Sequence, residues 1–582
     1  MKRLRDLWPL VLLVLLLWIV RYWHSFQFGL YEDDLTHLPT AAAMSLGEVF
    51  SFAFDPGRIL RLEGQGHPLV YSFIYVLTNL GWRIGGLHGP YWIGFAIEAL
   101  NVCLFYVLLS RVHGRHLALL AGLAYVLYSA DTTQAYLTYS LGVHPSLTFF
   151  LLAALAYVSG RRWPAYLLAP LMLLTYETVF PVFFAVPLLS GRSARQRIRE
   201  LLLHSAVLGL IVIGFSFWRL QVGDDRLGGL AASELILVPL LHMAQGPVVS
   251  LGTYVYRAVQ ALQGIDLEVA AASVTGTVFF AWLSSRIELG TPVGLQDRLT
   301  AASAAWRLGR GLRRTVRETY QSLPSEVASL VRLVGAGAVM LVLAYPFTFT
   351  VRAYAISGRD TRVHAAGVLG AAILLGSMAL LALWTAEAFG RRRWVVLAFG
   401  VWVGLLAGYG FVIQRDYVRA WELQRSFWRD LLPQIQDAGE GTVVIVDPAG
   451  LIDTVQIGAN TWNLPRILEQ LYRLPSDWDV PPRVYRGEAY WREYLVLPDG
   501  SLRIYGDTTL APLSEHTITD WDHLIVIHTG RGVVRRKEPL VIDAVEYALA
   551  EPGYPNLATL PRLFLYEVLV GTDGVLPPAA LP

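Results

Sequence analysis

The sequence has few charged residues and almost no lysine. Only 16% of its 582 residues are Asp, Glu, Lys or Arg, against roughly 25% in an average soluble domain. Lysine occurs only as Lys2 and Lys537, so arginine supplies nearly all of the positive charge. The formal net charge of +2 lacks the basic excess that nucleic-acid-binding proteins carry. These absences argue against an ordinary soluble protein and against a nucleic-acid partner.

Cysteine is also nearly absent, and because Cys103 is the single one, no intrachain disulfide can form. Apolar residues take the place of the missing charges: 54% of the chain is hydrophobic, and the mean hydropathy is +0.46. Such a composition excludes disordered, collagen-like and coiled-coil chains. It predicts that the lipid bilayer is a partner for much of the chain.

The apolar residues form runs long enough, or nearly long enough, to cross a bilayer. The first run, from Leu7 to Val20, follows the basic Lys2-Arg3-Leu4-Arg5. No small-residue cleavage site follows it, so we predict an uncleaved signal anchor. We predict a polytopic α-helical membrane protein with about eleven transmembrane helices in residues 1–413. The later runs lie at 90–110, 116–130, 143–160, 163–176, 178–190, 201–219, 267–285, 327–349, 364–388 and 394–413.

Arginines in short loops decide the predicted orientation, because Lys and Arg accumulate on the cytoplasmic side. If the run 68–84 is a half-buried helix rather than a span, the basic clusters all fall on one side, including the basic loop 286–326. The acidic loop 24–67 and Asp224-Asp225 then fall on the other side. We therefore predict a multi-pass plasma-membrane protein with a cytoplasmic N-terminus.

The composition changes after Ile413, where charges, prolines and turn signals replace the apolar runs. Residues 414–582 are predicted to form a small extracytoplasmic α/β domain. Its predicted elements are a helix at 414–438, strands at 442–446 and 523–528, a hairpin of 493–497 and 502–505 around Pro498-Asp499-Gly500, and a helix at 539–549.

Glu32, Asp33 and Asp34 stand out in the acidic loop, because three adjacent carboxylates near lipid repel one another. One of them could serve as a catalytic acid or base, or the three could hold a divalent metal ion such as Mg²⁺ or Mn²⁺. A structural alternative is that Asp34 caps a helix beginning at Leu35. The triplet is thus a candidate site with an open structural explanation.

Other charged groups are also predicted on the external side. Asp131 lies in a short polar loop, and Glu177 lies at the break between two short apolar runs. Ionisable groups at membrane depth are rare and mark function by default. The segment 352–364 is basic on the side where positive charge is disfavoured. A general arginine excess could explain it, and so could a site for an anionic group, since arginine binds phosphate through its planar fork.

Carboxylates and arginines on one external face suit the transfer of a sugar from a lipid-linked phosphate. Cations can neutralise the leaving phosphate, and a carboxylate can accept the proton of an acceptor hydroxyl or amine. The lipid tail would need a groove between spans, which would explain why such an enzyme is embedded in the membrane.

The order of these features resembles the GT-C glycosyltransferases, integral-membrane enzymes that use polyprenyl-phosphate-linked sugars. The likeness is closest to the protein O-mannosyltransferase and lipid A aminoarabinose transferase branches. It covers residues 1–220 in order, and 220–413 only as spans. The matching elements are Asp33-Asp34 after the first span, His67-Pro68 opening a helix, the turn Arg111-Val112-His113-Gly114-Arg115, the loop from Tyr128 to Gln134, and Leu174-Thr175-Tyr176-Glu177.

The resemblance implies inverting transfer of a hexose or pentose from polyprenyl phosphate to a protein, lipid or cell-envelope glycan acceptor. It implies that Asp33 or Asp34 is the base, with Asp33 favoured, and that His67 lies near the donor phosphate. The chain departs from the family pattern at Tyr176, where the family has Lys, and at Asp131, which lacks a preceding His-Pro pair. The predicted substrate-binding residues are Glu32, His67, Asp131, Glu177, Arg352, Arg359, Arg362 and His364.

Two other classes of protein remain open, and so does a different lipid-sugar enzyme, such as a ligase that moves whole glycans. A transporter or flippase of lipid-linked or envelope precursors would also need many spans, although the sequence shows no half-to-half repeat. A non-catalytic sensor or assembly protein would act through the C-terminal domain, where Asp447 and His528 lie at the ends of predicted strands.

Overall fold

A computed structural model describes most of the chain. The described residues are 2–63, 66–191, 193–222, 233–286, 300, 323–349, 351–446, 467–486, 494–496, 502–504, 516–518, 523–529, 532–536, 540–542, 545–547, 549, 553 and 556–571. Nearly all of the predicted basic loop 286–326, the pair Asp224-Asp225, the Pro498-Asp499-Gly500 turn and Asp447 lie outside them.

Helices dominate the structure as far as residue 434. The α-helices of the described residues are α1 (Lys2–Leu17), α2 (Asp34–Ala43), α3 (Leu46–Ala53), α4 (Pro56–Leu60), α5 (Pro68–Gly85), α6 (His88–Val112), α7 (Arg115–Val126), α8 (Leu137–Gly142), α9 (His144–Val158), α10 (Arg162–Thr175), α11 (Phe180–Phe183), α12 (Ala194–Val222), α13 (Glu234–Gln263), α14 (Leu267–Arg286), α15 (Ser325–Val342), α16 (Gly367–Ala388), α17 (Arg392–Leu431), α18 (Ile467–Leu471) and α19 (Phe564–Val570). A π-helical turn, Trp18–Tyr22, continues α1.

Nine helical segments among the described residues are long and apolar enough to cross a membrane. They support the prediction of a multi-pass membrane protein, since each has at least 18 residues and a spanning helix needs about 17–25 predominantly apolar ones. The segments are Leu7–Gln27, His88–Val112, Leu137–Val158, Arg195–Val222, Ile236–Gln263, Leu267–Ser285, Ser325–Val342, Gly367–Ala388 and Arg392–Gln434.

The predicted spans differ from these nine in several places. Ile236–Gln263 was not predicted, because two prolines, a histidine and an arginine interrupt its apolar pattern. The predicted span 178–190 is instead a series of short helical pieces, in which Pro181 and Pro187 each open a new piece because proline cannot donate an intrahelical bond. The predicted spans 116–130 and 163–176 correspond to the shorter helices α7 and α10.

The chain divides into two compact units. The helical unit consists of Met1–Phe26, Phe50–Leu77 and His88–Arg415, and the mixed unit consists of Gln27–Val49, Thr78–Leu87 and Asp416–Pro582. The division near residue 415 is close to the predicted boundary after 413. The mixed unit also includes two N-terminal segments, one of which carries Glu32, Asp33 and Asp34.

The mixed unit contains a four-stranded sheet with the order β2-β1-β6-β7. Its central strands, β1 (Val443–Val446) and β6 (Leu524–His528), are parallel and buried, as continuous runs of Val, Ile and Leu favour. β2 (Arg483–Arg486) joins parallel to β1, and β7 (Val534–Arg535) joins antiparallel to β6. The sheet confirms that the C-terminal region mixes strands and helices.

Two smaller sheets complete the described strands. The predicted hairpin is present as β3 (Tyr494–Val496) and β4 (Leu502–Ile504), and β5 (His516–Ile518) extends it. The predicted helix at 539–549 is wrong, because β8 (Leu540–Ile542) and β9 (Val545–Tyr547) form an antiparallel pair there. Three β-branched residues, Val541, Ile542 and Val545, favour the strand conformation.

Glycines allow α15 and α16 to pack closely in the helical unit. A Cβ atom added to Gly337 would lie 2.6 Å from the Leu374 nitrogen, and one added to Gly370 would lie 2.2 Å from the Leu341 nitrogen. Small residues at such contacts let two helices in a membrane approach until their backbones touch. By contrast, a Cβ atom at Gly335, on the same helix as Gly337, would meet nothing within 4 Å.

We expect Gly337→Ala to lower the free energy of unfolding by about 1–3 kcal/mol, because the new methyl group forces the helices apart. Gly335→Ala is the matched control, and it should be neutral or stabilising by up to about 1 kcal/mol, since alanine favours helix. Thermal unfolding in detergent measures both variants. Equal effects of the two substitutions would contradict the close packing of α15 on α16.

Candidate functional site

Two segments of the helical unit meet at one end of the helix bundle, which we call the upper end: residues 126–139, after α7, and residues 345–364, between α15 and α16. The backbone N–H of Thr132 donates to the Thr361 hydroxyl at 3.1 Å, and the Tyr128 hydroxyl donates to the His364 carbonyl at 2.9 Å. The segments that carry Asp131 and Arg362 are therefore neighbours, although 231 positions of the sequence separate those residues.

His364 lies inside this junction and is fully buried. Its Nε2 lies 2.8 Å from the Ala355 carbonyl oxygen, and its Nδ1 lies 2.9 Å from the Tyr345 hydroxyl. A carbonyl can only accept, so Nε2 carries the proton and Nδ1 accepts one from Tyr345. Both ring nitrogens are occupied, so His364 holds the segment in place. This contact pattern differs from the substrate-binding role that the sequence analysis predicted for His364.

Arg257 is a second anchor of the same segment, and the sequence analysis missed it. It is fully buried in α13 and donates to the Ile356 carbonyl, and its guanidinium lies 5.0 Å from the centre of the Tyr409 ring. An arginine inside an apolar helix is costly in a membrane, and this could have identified it from the sequence.

His67, Glu177 and Arg219 form a charged cluster in the helical unit. The His67 Nε2 contacts the Glu177 Oε2, and the Arg219 Nη2 lies 3.6 Å from the same oxygen. Arg219 also donates to the Gly66 carbonyl at 3.1 Å, next to His67. All three side chains are partly exposed, by 12%, 13% and 19% respectively, so the cluster is shielded but open to a ligand.

Arg362 is near this cluster, and Tyr176 is a neighbour of both. The ring of His67 lies 5.8 Å from the ring of Tyr176, and Tyr176 is near enough to Arg362 to act on its charge, as are Arg359 and Asp360. Arg362 itself is half-buried and donates to the Tyr139 hydroxyl. The structure thus brings together four predicted residues, namely His67, Glu177, Arg359 and Arg362. We call these four, with Arg219, the cationic site.

Arg352 lies apart from the cationic site in its contacts. Its side chain is exposed, donates to the Tyr354 hydroxyl at 2.5 Å, and lies 5.7 Å from the centre of that ring.

Arg219 is a member of the cationic site that the sequence analysis did not predict, because it stands near the end of a long apolar helix that was interpreted only as a span. Its position beside Gly66 and Glu177 depends on tertiary contacts.

A second charged group, buried between α6, α9 and the end of the first helix, was also missed. The Arg21 Nη1 lies 3.6 Å from the Glu98 Oε1, and the His144 Nδ1 lies 3.1 Å from the same oxygen. Arg21 also donates to the Tyr128 carbonyl at 2.9 Å. A glutamate inside the apolar run of α6 was a visible signal in the sequence. The group ties the first helix to the upper end.

The part of the acidic loop that carries Glu32, Asp33 and Asp34 belongs to the mixed unit and has an unusual backbone. Glu32 has φ 51°, in the left-handed region that residues other than glycine seldom adopt. Glu32 and Asp34 are 4% and 0% exposed, whereas Asp33 is half-buried. Such strained positions occur preferentially at functional sites. Asp33 is therefore the member of the triplet whose carboxylate is most accessible.

The predicted helix cap at Asp34 is wrong in detail. Helix α2 begins at Asp34 itself, and Asp33 takes the cap position without a side-chain cap bond. The Asp34 carboxylate instead accepts a bond from the Tyr31 backbone N–H at 3.3 Å. Burial lowers the pKa of His37, which follows one turn after Asp33, while the Asp33 charge opposes that shift. His37 is thus a neutral neighbour of Asp33 at pH 7.

Within the mixed unit, the acidic loop is held against the last part of α17. The Tyr31 hydroxyl donates to the Tyr417 carbonyl at 2.8 Å, and the Gln424 amide donates to the Leu30 carbonyl at 3.3 Å. A Cβ atom at Gly29 would lie 1.8 Å from the Trp421 ring, so only glycine fits there. The loop conformation therefore depends on tertiary contacts and not on its own sequence alone.

In the part of the chain that the structure describes, no group of three or more His, Cys, Asp or Glu side chains could hold a metal ion. The Glu32, Asp33 and Asp34 triplet thus does not form the three-carboxylate site that its sequence suggested.

The chain was compared with protein-family models, curated proteins and solved structures, and none of them matches it.

His364 gives the upper end a pH-dependent stability. Burial lowers its pKa to about 4 from an ordinary 6.5, against the effect of its bond to Ala355. Between these values the unfolded chain binds a proton that the folded protein does not, so stability falls as the pH drops. We expect that loss to approach about 1.4 kcal/mol per pH unit.

The variant His364→Gln keeps a donor for the Ala355 carbonyl but cannot bind that proton. It should be less stable than the wild type at about pH 7, and the difference should shrink towards about pH 5. Melting temperatures in detergent across this range measure the effect. A difference that is the same at every pH would contradict a neutral, buried His364.

Proposed function

We propose that the protein is a membrane glycosyltransferase that takes a sugar from a polyprenyl-phosphate donor and transfers it to an acceptor at the outer face of the membrane. The observation that carries the proposal is the cationic site. Arg219 and His67 lie beside the Glu177 carboxylate, and Tyr176 is a neighbour of both His67 and Arg362. Arg362 in turn has Arg359 and Asp360 near it. Arginine guanidinium groups bind phosphate oxygens through paired, charge-assisted hydrogen bonds.

The position of Arg219 supports a lipid-linked ligand rather than a free anion. Arg219 stands at the end of α12, whose side chains Leu210, Phe217 and Leu220 are largely exposed. In a membrane this surface faces lipid. A polyprenyl chain lying along α12 would bring its phosphate to Arg219, so one helix can serve both parts of the donor.

In the proposed reaction the cationic site stabilises the negative charge that develops on the departing polyprenyl phosphate. The acceptor hydroxyl or amine attacks the anomeric carbon, the bond from that carbon to the phosphate oxygen breaks, and the acceptor proton passes to a carboxylate. Asp33 remains our prediction for that carboxylate. Its accessibility and the strained backbone beside it support the choice.

The proposal includes the orientation of the protein in the membrane. In this orientation the upper end is external and the N-terminus is cytoplasmic, as the arginines of the short loops indicate. Arg362 and Arg359 then lie on the side where positive charge is otherwise disfavoured, which suggests that a ligand requires them.

The cationic site can be tested by changing its charged residues one at a time and measuring the affinity for the donor. We expect Arg219→Ala and Arg362→Ala each to weaken polyprenyl-phosphate binding by roughly 10–100-fold, because each removes a charge-assisted hydrogen bond. Glu177→Gln should strengthen binding, because it removes a competing negative charge. Arg393→Ala, an exposed arginine near the start of α17, is the control and should leave affinity unchanged.

Native mass spectrometry of the purified protein with a short-chain polyprenyl phosphate measures these affinities. Opposite effects of the arginine and glutamate variants cannot arise from a general loss of structure. Unchanged affinity in both arginine variants would remove the cationic site as the donor site.

The proposed role of the Asp33 carboxylate is tested separately, by measuring sugar transfer. Asp33→Asn keeps the shape of the side chain but cannot take a proton, so we expect sugar transfer to fall by about 10²–10⁴-fold while donor binding is retained. Asp477→Asn, an exposed position of the mixed unit, is the matched control and should be active. The measurement is transfer of radiolabelled sugar in membranes, and wild-type activity of Asp33→Asn would exclude Asp33 as the base.

A transporter of lipid-linked precursors is the second candidate, and one observation favours it. The segment from Glu177 to Leu189 is broken into short helical pieces, as transporters often break helices at their binding sites. Movement of a fluorescent polyprenyl-phosphate sugar across a reconstituted bilayer, without transfer of its sugar, would support this alternative over the transferase.

A further inference from the structure

Three large apolar side chains are exposed on the segment between α2 and α5, inside the loop that the sequence analysis predicted to be external. Phe50, Phe54 and Leu60 are 44%, 65% and 61% exposed. The rings of Phe50 and Phe54 stack, with their centres 6.0 Å apart and an angle of 7° between their planes. Single exposed apolar residues are common, whereas a group of large ones marks an interaction site. We call these three side chains the apolar face.

The segment that carries the apolar face is fixed in place by a buried arginine. Arg58 is 4% exposed, and its guanidinium donates to the Phe52 carbonyl at 3.0 Å and to the Pro68 carbonyl at 3.1 Å. These bonds tie α3 and α4 to the start of α5, and buried bonds of this kind are costly to break. The apolar face is therefore exposed by a held conformation of the segment.

The apolar face continues the lipid-facing surface of α12. The Trp218 indole N–H donates to the Leu60 carbonyl at 3.0 Å, and at the same end of α12 the side chains of Phe217 and Leu220 are 62% and 81% exposed. Tryptophan is enriched where the hydrocarbon of a membrane meets the headgroups, because its ring is apolar and its N–H is polar. The bond to Trp218 thus places Leu60 at the level of that boundary.

Polar groups flank the apolar face, as they do in helices that lie at a membrane surface. Arg61 and Glu63 form an exposed ion pair at 3.2 Å directly after Leu60. Ser51 is exposed on α3, and neighbouring positions of a helix point about 100° apart. Ser51 therefore lies to one side of Phe50 and offers a polar position on the same helix.

We propose that the apolar face inserts into the membrane leaflet at the upper end of α12, which makes residues 50–63 an interfacial anchor. Lipid is the occupant because the face is continuous with a helix surface that itself faces lipid. In helices of this kind the apolar side chains reach about 5–10 Å into the boundary between headgroups and acyl chains. The anchor does not depend on the transfer of a sugar.

Insertion of the apolar face also sets the height of the cationic site in the bilayer. The Arg219 guanidinium donates to the Gly66 carbonyl at 3.1 Å, and His67 follows Gly66 directly. The chain that leaves the anchor thus enters the cationic site within a few residues. This arrangement brings His67 and Arg219 to the level of the lipid headgroups.

The depth of single labelled cysteines tests the insertion. Phe54→Cys and its matched control Ser51→Cys, each in a Cys103→Ser background, are labelled with the fluorophore NBD in lipid nanodiscs that hold one copy of the protein. One quencher is a phospholipid with a nitroxide at the fifth acyl carbon, and the other is iodide in water. We expect the lipid nitroxide to quench the label at 54 at least about two-fold more than the label at 51, and iodide to show the reverse order.

Equal quenching of the two positions by the lipid nitroxide, or stronger quenching of position 54 by iodide, would overturn the proposal. Leu60→Cys is the second reporter, with Arg61→Cys as its control, should Phe54→Cys fail to fold. Nanodiscs that hold two copies test a different occupant. If the second copy shields position 54 from the lipid nitroxide, the face is an interface between copies and the proposal is wrong.

These outcomes are separate from those of the donor-binding experiments. Lipid quenching at 54 is expected whether or not Arg219 and Arg362 bind polyprenyl phosphate. Conversely, a label at 54 that lies in water would remove the anchor and leave the measured affinity of the cationic site as it is.

Discussion

The upper end of the helical unit depends on the bonds between two segments that are far apart in sequence. Thr132 bonds to Thr361, and Tyr128 bonds to the His364 carbonyl. Because these groups are buried, each bond is costly to leave unmade, and together they fix the positions of Asp131 and Arg362. The buried Arg257 and His364 reinforce the same arrangement from α13 and from within the segment.

This arrangement separates two regions that differ in their electrostatic charge. On one side of the Thr132–Thr361 bond, three arginines, Arg219, Arg359 and Arg362, outnumber the two carboxylates of Glu177 and Asp360. On the other side, two carboxylates, those of Glu98 and Asp131, act on the charge of the single arginine Arg21. An anion is favoured in the first environment and disfavoured in the second. This division places the proposed phosphate beside Arg219 and Arg362 and not beside Arg21.

The sequence predicted the class of fold and part of the candidate site, for identifiable physical reasons. Long apolar runs marked most of the spans, but α13 was missed because prolines and Arg257 break its pattern. Of the eight predicted substrate-binding residues, His67, Glu177, Arg359 and Arg362 lie near one another, and their role in binding stays a prediction. Arg219 and Glu98 were missed, since each stands in an otherwise apolar helix and only tertiary contacts reveal its partner. The helix predicted at 539–549 was wrong although the residues themselves indicated strands, since Val541, Ile542 and Val545 are β-branched and lie in two paired strands.

The central claim is that the upper end binds the phosphate of a polyprenyl-phosphate sugar. The most direct test is an electron cryo-microscopy structure of the protein in a lipid nanodisc with such a donor bound. We predict density for the phosphate within hydrogen-bond distance of the Arg219 and Arg362 guanidinium groups, with the polyprenyl chain along α12. A phosphate bound elsewhere, with the cationic site occupied only by solvent, would contradict the claim.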